Sequence, residues 1–446
     1  FPYTTLFRSI KFMDKMADVL GRAGAWCGQN KYLSAIKNAF QNFMPLTIAG
    51  AIGVLWCNVL VNETTGLGMF FKPIMALDFL NPAFQAVNFC TISCITVGIT
   101  LGIAQEIGVW NMGAERAGYI PGLVGLAAWL SVTNTSHMVD GAKEAFTGVA
   151  GNELGATGLF TGMIIGVLSV ELFCFFEKQD ALKIKMPEQV PPGVARAFEV
   201  LVPATITLII TACIGSACYN LTGLYLNDVI KNGIQGPLGA VGATIPGVMI
   251  IYLVIMLFWL VGIHGNNMLS AVKEALFTPL ALENVEKFNK GEKPTNIINM
   301  YALQMWGEFG GSGVTIGLVI AIMIFGKRED NKAIATLSLV PGLFNINETV
   351  TFGIPMVLNP ILGIPFVVAP LVTIIIGYVL TVIGFCPVAC LTVPWTTPPI
   401  VFGFLACGAN VMGAVTQAIL IVVSTVIYVP FLISYEKYQN KQAAEA

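Results

Sequence analysis

Nine charge-poor windows, rich in Leu, Ile, Val, Phe, Ala and Gly, recur along the chain near 43–62, 84–104, 119–139, 155–176, 199–219, 244–263, 311–326, 361–385 and 411–433. Several exceed the roughly 18 apolar residues that a helix needs to cross a bilayer, so the pattern predicts an all-α polytopic membrane protein. Cytoplasmic loops are enriched in Lys and Arg, which fixes the expected orientation. Arg8, Lys11, Lys15, Arg22, Lys31 and Lys37 precede the first window; Lys178, Lys183, Lys185 and Arg196 follow the fourth; Lys327, Arg328 and Lys332 follow the seventh; Lys437 and Lys441 close the chain. Nine crossings would leave the last two groups outside, against the rule. A tenth passage between the sixth and seventh windows removes the conflict, and Gly265-Asn266-Asn267-Met268 through Pro279-Leu280-Ala281 supplies a broken, moderately apolar candidate. The expectation is about ten transmembrane helices plus re-entrant hairpins, with both termini cytoplasmic.

The windows fall into two structurally distinct halves. Residues 30–220 read as simple spans, and the glycines Gly158, Gly162 and Gly166, at four-residue spacing, make a face suited to close helix packing or to a dimer surface. Residues 221–435 carry the breaks. Pro394-Trp395-Thr396-Thr397-Pro398-Pro399 cannot form a continuous helix, because proline removes a donor and clashes with the preceding turn. Residues 177–199 mix charges with Pro187, Pro191 and Pro192 and read as a cytoplasmic amphipathic linker joining the halves. Residues 1–12 lack both a start Met and a signal-peptide core; they are read as a non-native leader, with Met13 as the native start.

Composition sharpens the class. The chain has 446 residues, 56% hydrophobic and 11% charged, against roughly 25% charged in an average soluble domain. A net charge of -2 offers no basic surface for a nucleic acid. Cysteines such as Cys90, Cys94, Cys174, Cys213 and Cys218 are scattered through apolar spans without metal spacing and read as small hydrophobes, not as a disulfide framework. No metal and no cofactor is expected.

Candidate chemistry starts at Glu348, the only carboxylate or amine between Ala333 and Phe385. A carboxylate at bilayer depth is costly unless something pairs with it, so its default reading is functional. Pro341, Gly342, Gly353, Pro355 and Pro360 break any long helix around it, and broken backbone at that depth is tolerated where it lines a cavity or is buried in protein. Asn345, Asn347 and Thr349 add neutral donors and acceptors. With no Lys or Arg between Lys332 and Lys437, the set suits a neutral, hydroxyl-rich ligand better than a phosphate or a dicarboxylate. His264, in Gly262-Ile263-His264-Gly265-Asn266-Asn267, is the second candidate: a ligand-pocket group able to carry a proton, or a helix-end histidine bonded to a carbonyl. Trp259, Trp306 and Trp395 stand near the breaks as sugar-stacking faces or interface anchors, with Trp395, beside Thr396 and Thr397, the strongest. Glu308, followed by Gly310-Gly311-Ser312-Gly313, reads as a gate or as a helix-packing site. Glu171, and His137 before Asp140, read as structural.

Taken together, Gly262-Ile263-His264-Gly265, Gly310-Gly311-Ser312-Gly313, Phe344-Asn345-Ile346-Asn347-Glu348, Phe352-Gly353-Ile354-Pro355, Asn359-Pro360, Ile364-Pro365-Phe366 and the early Asn38-Ala39-Phe40 to Met44-Pro45-Leu46 resemble a known family. This is the enzyme IIC permeases of the bacterial phosphoenolpyruvate-dependent sugar phosphotransferase system, in the lactose, cellobiose and diacetylchitobiose group. The resemblance covers nearly the whole chain beyond residue 30. It implies a permease of the cytoplasmic membrane that binds a disaccharide in its C-terminal half and presents it to a phosphorylated enzyme IIB, which transfers phosphate to a sugar hydroxyl. Carried over by motif, Glu348 would hold and deprotonate that hydroxyl with His264 beside it, and Asn345, Asn347, Asn267, Trp259, Trp395, Thr396 and Gly311 would complete the sugar site. The family also implies a homodimer through the N-terminal half, set in membrane lipid, and enzymes IIB and IIA on separate polypeptides. The chain departs from the pattern at Thr349, where proline is expected after the glutamate.

Two rivals stand beside this reading. A proton-coupled secondary sugar transporter would use the same broken helices and buried carboxylate without phosphorylating its substrate. A channel fits less well, since no filter motif or charged ring recurs.

Overall fold

Helix formation begins earlier than the first charge-poor window. Asn30 accepts hydrogen bonds from the backbone N–H groups of Tyr32 and Leu33 and caps a helix that runs Lys31–Leu55 and continues through a wider π turn to Leu60. Lys31 is held by Glu171 on another helix at 2.6 Å, so a charged first turn fits inside the element. That pair also gives Glu171 the structural role expected of it. The structure is a computed structural model that describes residues 18–63, 67–137, 145–187, 189–354 and 356–445. The proposed leader 1–12 and start Met13, the basic residues Arg8, Lys11 and Lys15, Asp140 and Pro355 lie outside the described residues.

Among the described residues five helices are long and apolar enough to cross a membrane: Lys31–Leu60, Ala156–Glu177, Pro192–Thr222, Gly363–Val382 and Val411–Ala444. Two bent pairs join them, Lys72–Ser93 with Ile95–Met112 at 41° and Met300–Val314 with Ile316–Phe325 at 60°, and two shorter apolar helices span Ile120–Val132 and Ile245–Leu260. Helix Gly265–Asn289 stands where the tenth passage is expected, but it is not among the helices apolar enough to cross a membrane. It is one continuous helix where the sequence suggests a broken one, and Pro279 is accommodated inside it, as neighbouring groups in membrane bundles allow. Apart from a two-residue ladder of Ser136–His137 against Phe146–Thr147, the described residues form no sheet.

The first half is a bundle in which Ile95–Met112, Ile120–Val132 and Ala156–Glu177 pack on one another and on Lys31–Leu55. Gly158, Gly162 and Gly166 are all buried inside it. A Cβ on Gly162 would stand 2.2 Å from Thr100 Oγ1 and 2.9 Å from Thr96 Cγ2. Of the two readings of that face, close helix packing and a dimer surface, the first is the one seen: its closeness is used within one chain, against the Thr96 and Thr100 side of the neighbouring helix.

The stretch 177–199 is part helix and part connection. Helix Pro192–Thr222 begins at the second of two prolines, a favoured first-turn position, so the last residues of this stretch belong to the next span. Only a short segment with a turn at Asp180–Leu182 separates the two spans. Arg196 and Arg116 both bridge Glu177 and Glu199 at 2.8–2.9 Å and tie the helix ends together. Pro192–Thr222 packs on Ile120–Val132 and Ala156–Glu177 and so stays with the first half. Short helical turns at Leu226–Ile230, Lys231–Gln235 and Gly236–Gly242 lead into the second.

In the second half Tyr252, Trp259, Trp306, Phe309, Phe366 and Tyr428 fill the core. Trp306 thereby has a packing role: a Cβ on Gly377 would meet its ring at 2.4 Å. Around this core lie a hairpin of Glu329–Leu343 and Glu348–Gly353, the glycine-rich bend after Gly307, and a non-helical stretch, residues 385–400, leading to Val401–Ala406.

Replacing Gly162 by Val forces the Thr96 and Thr100 side chains apart. The expected cost is about 1–3 kcal/mol, read as a lower midpoint of thermal unfolding of the purified chain in detergent. An unchanged midpoint would show that the two helices have room to separate.

Candidate functional site

Three breaks in the second half converge. Gly262, at φ +81°, turns the chain out of helix Ile245–Leu260 so that His264 caps the next helix, its Nδ1 accepting from the Asn267 backbone N–H at 3.2 Å. Gly310, Gly311 and Gly313 all have positive φ and fold the chain after Gly307 into a tight bend. Asn345, itself in the left-handed region at φ +63°, turns the hairpin.

Asn345 ties these segments together. Its Oδ1 accepts from the Gly310 N–H at 2.7 Å, while its Nδ2 donates to the carbonyls of Trp395 at 2.5 Å and Thr397 at 3.0 Å. Asn347 donates to the Ser312 carbonyl at 2.8 Å. Gly311 has to be glycine here on two counts: its φ is +86°, and a Cβ would lie 2.7 Å from Asn347 Cβ.

The turn delivers Glu348 to the first position of a short helix, where its Oε1 lies 3.9 Å from His264 Nε2. The Glu348 side chain is 48% exposed and that of His264 39%. The carboxylate that is isolated in the sequence faces open space beside an imidazole, as its expected place in a ligand pocket requires. That space is a cavity of about 800 Å³, toward the upper end of the roughly 300–1,000 Å³ usual for small-molecule sites. It is bounded on one side by Lys37, Phe40, Gln41, Met44 and Thr47 of the first helix, and on the other by the three breaks of the second half.

Glu348, His264, Asn345, Asn347, Asn267, Gly311 and Trp395 all line this cavity. The amide of Asn345, however, is taken up by backbone partners. Trp395 sits at the wall with its Nε1 3.4 Å from Met44 Sδ, a contact between the two halves. Trp259 is elsewhere: it is 2% exposed and supports the His264 ring from behind, with centroids 4.5 Å apart. Thr396 is not on the cavity wall.

The reading of the site as free of cations does not hold. Lys273 and Lys37 are both on the wall. Lys273 is 7% exposed and paired with Glu308, which also accepts from the Tyr252 hydroxyl at 2.7 Å. Glu308 is thus a cavity residue and not a helix-packing one. Local sequence around Glu348 contains no lysine, but the fold brings one from helix Gly265–Asn289. Among the described residues no group of three or more His, Cys, Asp or Glu side chains is arranged to hold a metal ion.

A family model described as "Phosphotransferase system, EIIC" matches residues 37–370. The chain belongs to this EIIC family. It is 32% identical to the oligo-beta-mannoside-specific EIIC component of Bacillus subtilis, over 95% of this chain and 94% of that one. It is 30% identical to the cellobiose-specific EIIC component of Lactococcus lactis, over 96% and 98%. The crystal structure of ChbC, the IIC component of an N,N'-diacetylchitobiose-specific phosphotransferase system, superposes with a TM-score of 0.85 at 29% identity, over 94% of this chain and 97% of ChbC. This EIIC chain is therefore a polytopic sugar permease component, as the resemblance in the motifs implied.

The wall of this EIIC cavity also includes Ser270, Glu274, Thr278, Gln304, Thr392 and Gln417, none of which stood out in the sequence. A signal for some of them was present. Asn267, Ser270, Glu274 and Thr278 recur at three- or four-residue spacing along helix Gly265–Asn289, which is one polar face of a helix. Replacing Gly311 by Ala strains the bend by about 1–3 kcal/mol, because φ +86° with ψ -171° is a backbone region open to little but glycine, besides pushing on Asn347. The unfolding midpoint in detergent is expected to drop, and an unaltered midpoint would mean that the hairpin can move away.

Proposed function

We propose that this EIIC chain binds a β-linked disaccharide of the cellobiose or diacetylchitobiose kind in the cavity between its halves, carries it across the cytoplasmic membrane and presents one hydroxyl for phosphorylation by enzyme IIB. The observation that carries the reading is the Glu348–His264 pair at 3.9 Å, half-exposed on the wall of an 800 Å³ cavity. A carboxylate accepts from a sugar hydroxyl, and an adjacent imidazole adds a second donor or acceptor. Phosphoryl transfer asks chiefly for position and charge stabilisation. Glu348 aligns the hydroxyl and takes its proton, and the flat face of Trp395 covers a sugar ring. EIIC components work with IIB and IIA; here the phosphorylated IIB docks at the cytoplasmic face, with both termini of this chain on the same side. The specificities of the cellobiose, oligo-beta-mannoside and diacetylchitobiose relatives support a β-linked substrate. Dimerisation through the first half remains part of the proposal, on a surface other than the glycine face.

The test is uptake of labelled cellobiose by vesicles containing the chain. Recovery as sugar phosphate only when IIB-phosphate is supplied supports group translocation; accumulation of free cellobiose driven by a proton gradient contradicts it and favours the secondary transporter. In the same assay Glu348→Gln is expected to insert normally and to lose phosphorylated product by at least about 100-fold, the usual scale of a general base. Turnover at the wild-type rate removes Glu348 from the chemistry. His264→Gln is expected to lower turnover while cellobiose affinity changes little, and failure of that variant to insert would assign His264 to folding instead.

A further inference from the structure

The strap of residues 394–400 brings Trp395 to the cavity wall, and little in its own backbone can hold it there. Pro398 and Pro399 have no N–H to donate. Ile400, next in line, has φ +75° and ψ -51°, close to a γ-turn geometry that is rare and strained. A β-branched residue seldom takes such a conformation. The Ile400 side chain is 45% exposed and not on the cavity wall, so packing does not impose it.

The imposing group comes from another helix. Gln417, 1% exposed in helix Val411–Glu445, accepts with its Oε1 from the Ile400 N–H at 2.7 Å and from the Gly403 N–H at 2.8 Å, and its Nε2 donates to the Met305 carbonyl at 3.2 Å. Close approach of two glycines makes this reach possible: a Cβ on Gly403 would stand 2.5 Å from the Gly413 carbonyl oxygen. The strap is therefore clamped twice, by Asn345 at the Trp395 and Thr397 carbonyls and by Gln417 at the Ile400 N–H. Between the clamps Trp395 borders the cavity and reaches Met44 of the first half. Gln417 borders the cavity as well, but its oxygen is already spent on two backbone donors. Without that acceptor both donors lose their partner, nothing opposes relaxation of Ile400 to a negative φ, and Trp395, five residues upstream, shifts with it.

We propose that Gln417 is a positioning residue that acts on a bound sugar through Trp395: it holds the strap in its strained form and so presents the indole face to a sugar ring. The inference rests on the sugar-binding reading above. Titration calorimetry of the purified full chain in detergent with cellobiose tests it, in a cycle with Trp395. Gln417→Met, similar in length but without the amide oxygen, is expected to weaken cellobiose by about fivefold to tenfold, the scale of one hydrogen bond. In the Trp395→Ala chain the same substitution is expected to add no further loss. In the Gln417→Met chain, Ile400→Gly takes the positive φ without strain and is expected to recover about threefold or more. Ile400→Pro removes the donor of the same bond and cannot take the positive φ; it should weaken cellobiose by a similar factor, so the readout survives if Gln417→Met fails to fold. An equal loss with and without Trp395, no loss in either single variant, or a loss that Ile400→Gly does not relieve overturns the proposal while leaving sugar binding intact. A wild-type chain that binds no cellobiose overturns the functional reading and the clamp with it.

Discussion

One side-chain amide holds the site together. Asn345 is in a left-handed turn and bonds Gly310 in one break, and Trp395 and Thr397 in another, so three stretches that could not hydrogen-bond themselves as helix are satisfied by one another. Backbone at membrane depth has no water to fall back on, and its donors and acceptors must find partners inside the protein. The glycines at 310, 311 and 313 supply the positive φ angles that let the backbone come close enough. Without that tie Glu348 would have no fixed place, and neither would the wall opposite it.

Held in this way, the Glu348 carboxylate is kept out of lipid yet open to a ligand. Glu348 starts a short helix, faces His264 and borders a cavity that also holds the matched pair of Lys273 and Glu308. The first half contributes the opposite wall through Lys37, Phe40, Gln41 and Met44, so the cavity exists only where the two halves meet. Within the first half Gly162 and Gly166 let two helices close on one another at Thr100, which gives a packed body for the more broken half to work against.

Much of this was legible in the sequence because membrane helices announce themselves by apolar runs, and costly charges within them stand out. Glu348 and His264 were identified on those grounds, and the fold does bring them together. The tenth passage was inferred from the balance of Lys and Arg; a continuous helix, Gly265–Asn289, stands at that place, though its charges keep it out of the helices apolar enough to cross a membrane. Window edges failed where a charge could pair across helices, as Lys31 does with Glu171. Lys273 was missed for the same reason: its importance comes from Glu308 on another helix, and linear sequence does not show which charges become neighbours. Glycine faces carry a similar ambiguity, since close packing within one chain and between two chains demands the same small residues. Trp259 had the right neighbourhood but the wrong side, for it lies behind His264 and not in the cavity.

The site is thus a polar cavity between two bodies, with the pair at Glu348 and His264 on the same wall as the Lys273–Glu308 pair. Its geometry makes a definite claim about how a disaccharide lies. The most direct measurement is an experimental structure of the chain with cellobiose bound. The account predicts one ring hydroxyl within about 2.6–3.2 Å of the Glu348 carboxylate, the distance a proton transfer needs, and the sugar enclosed by the 264, 311 and 347 segments. A cellobiose bound outside this cavity, or inside it with Glu348 touching no hydroxyl, would contradict it.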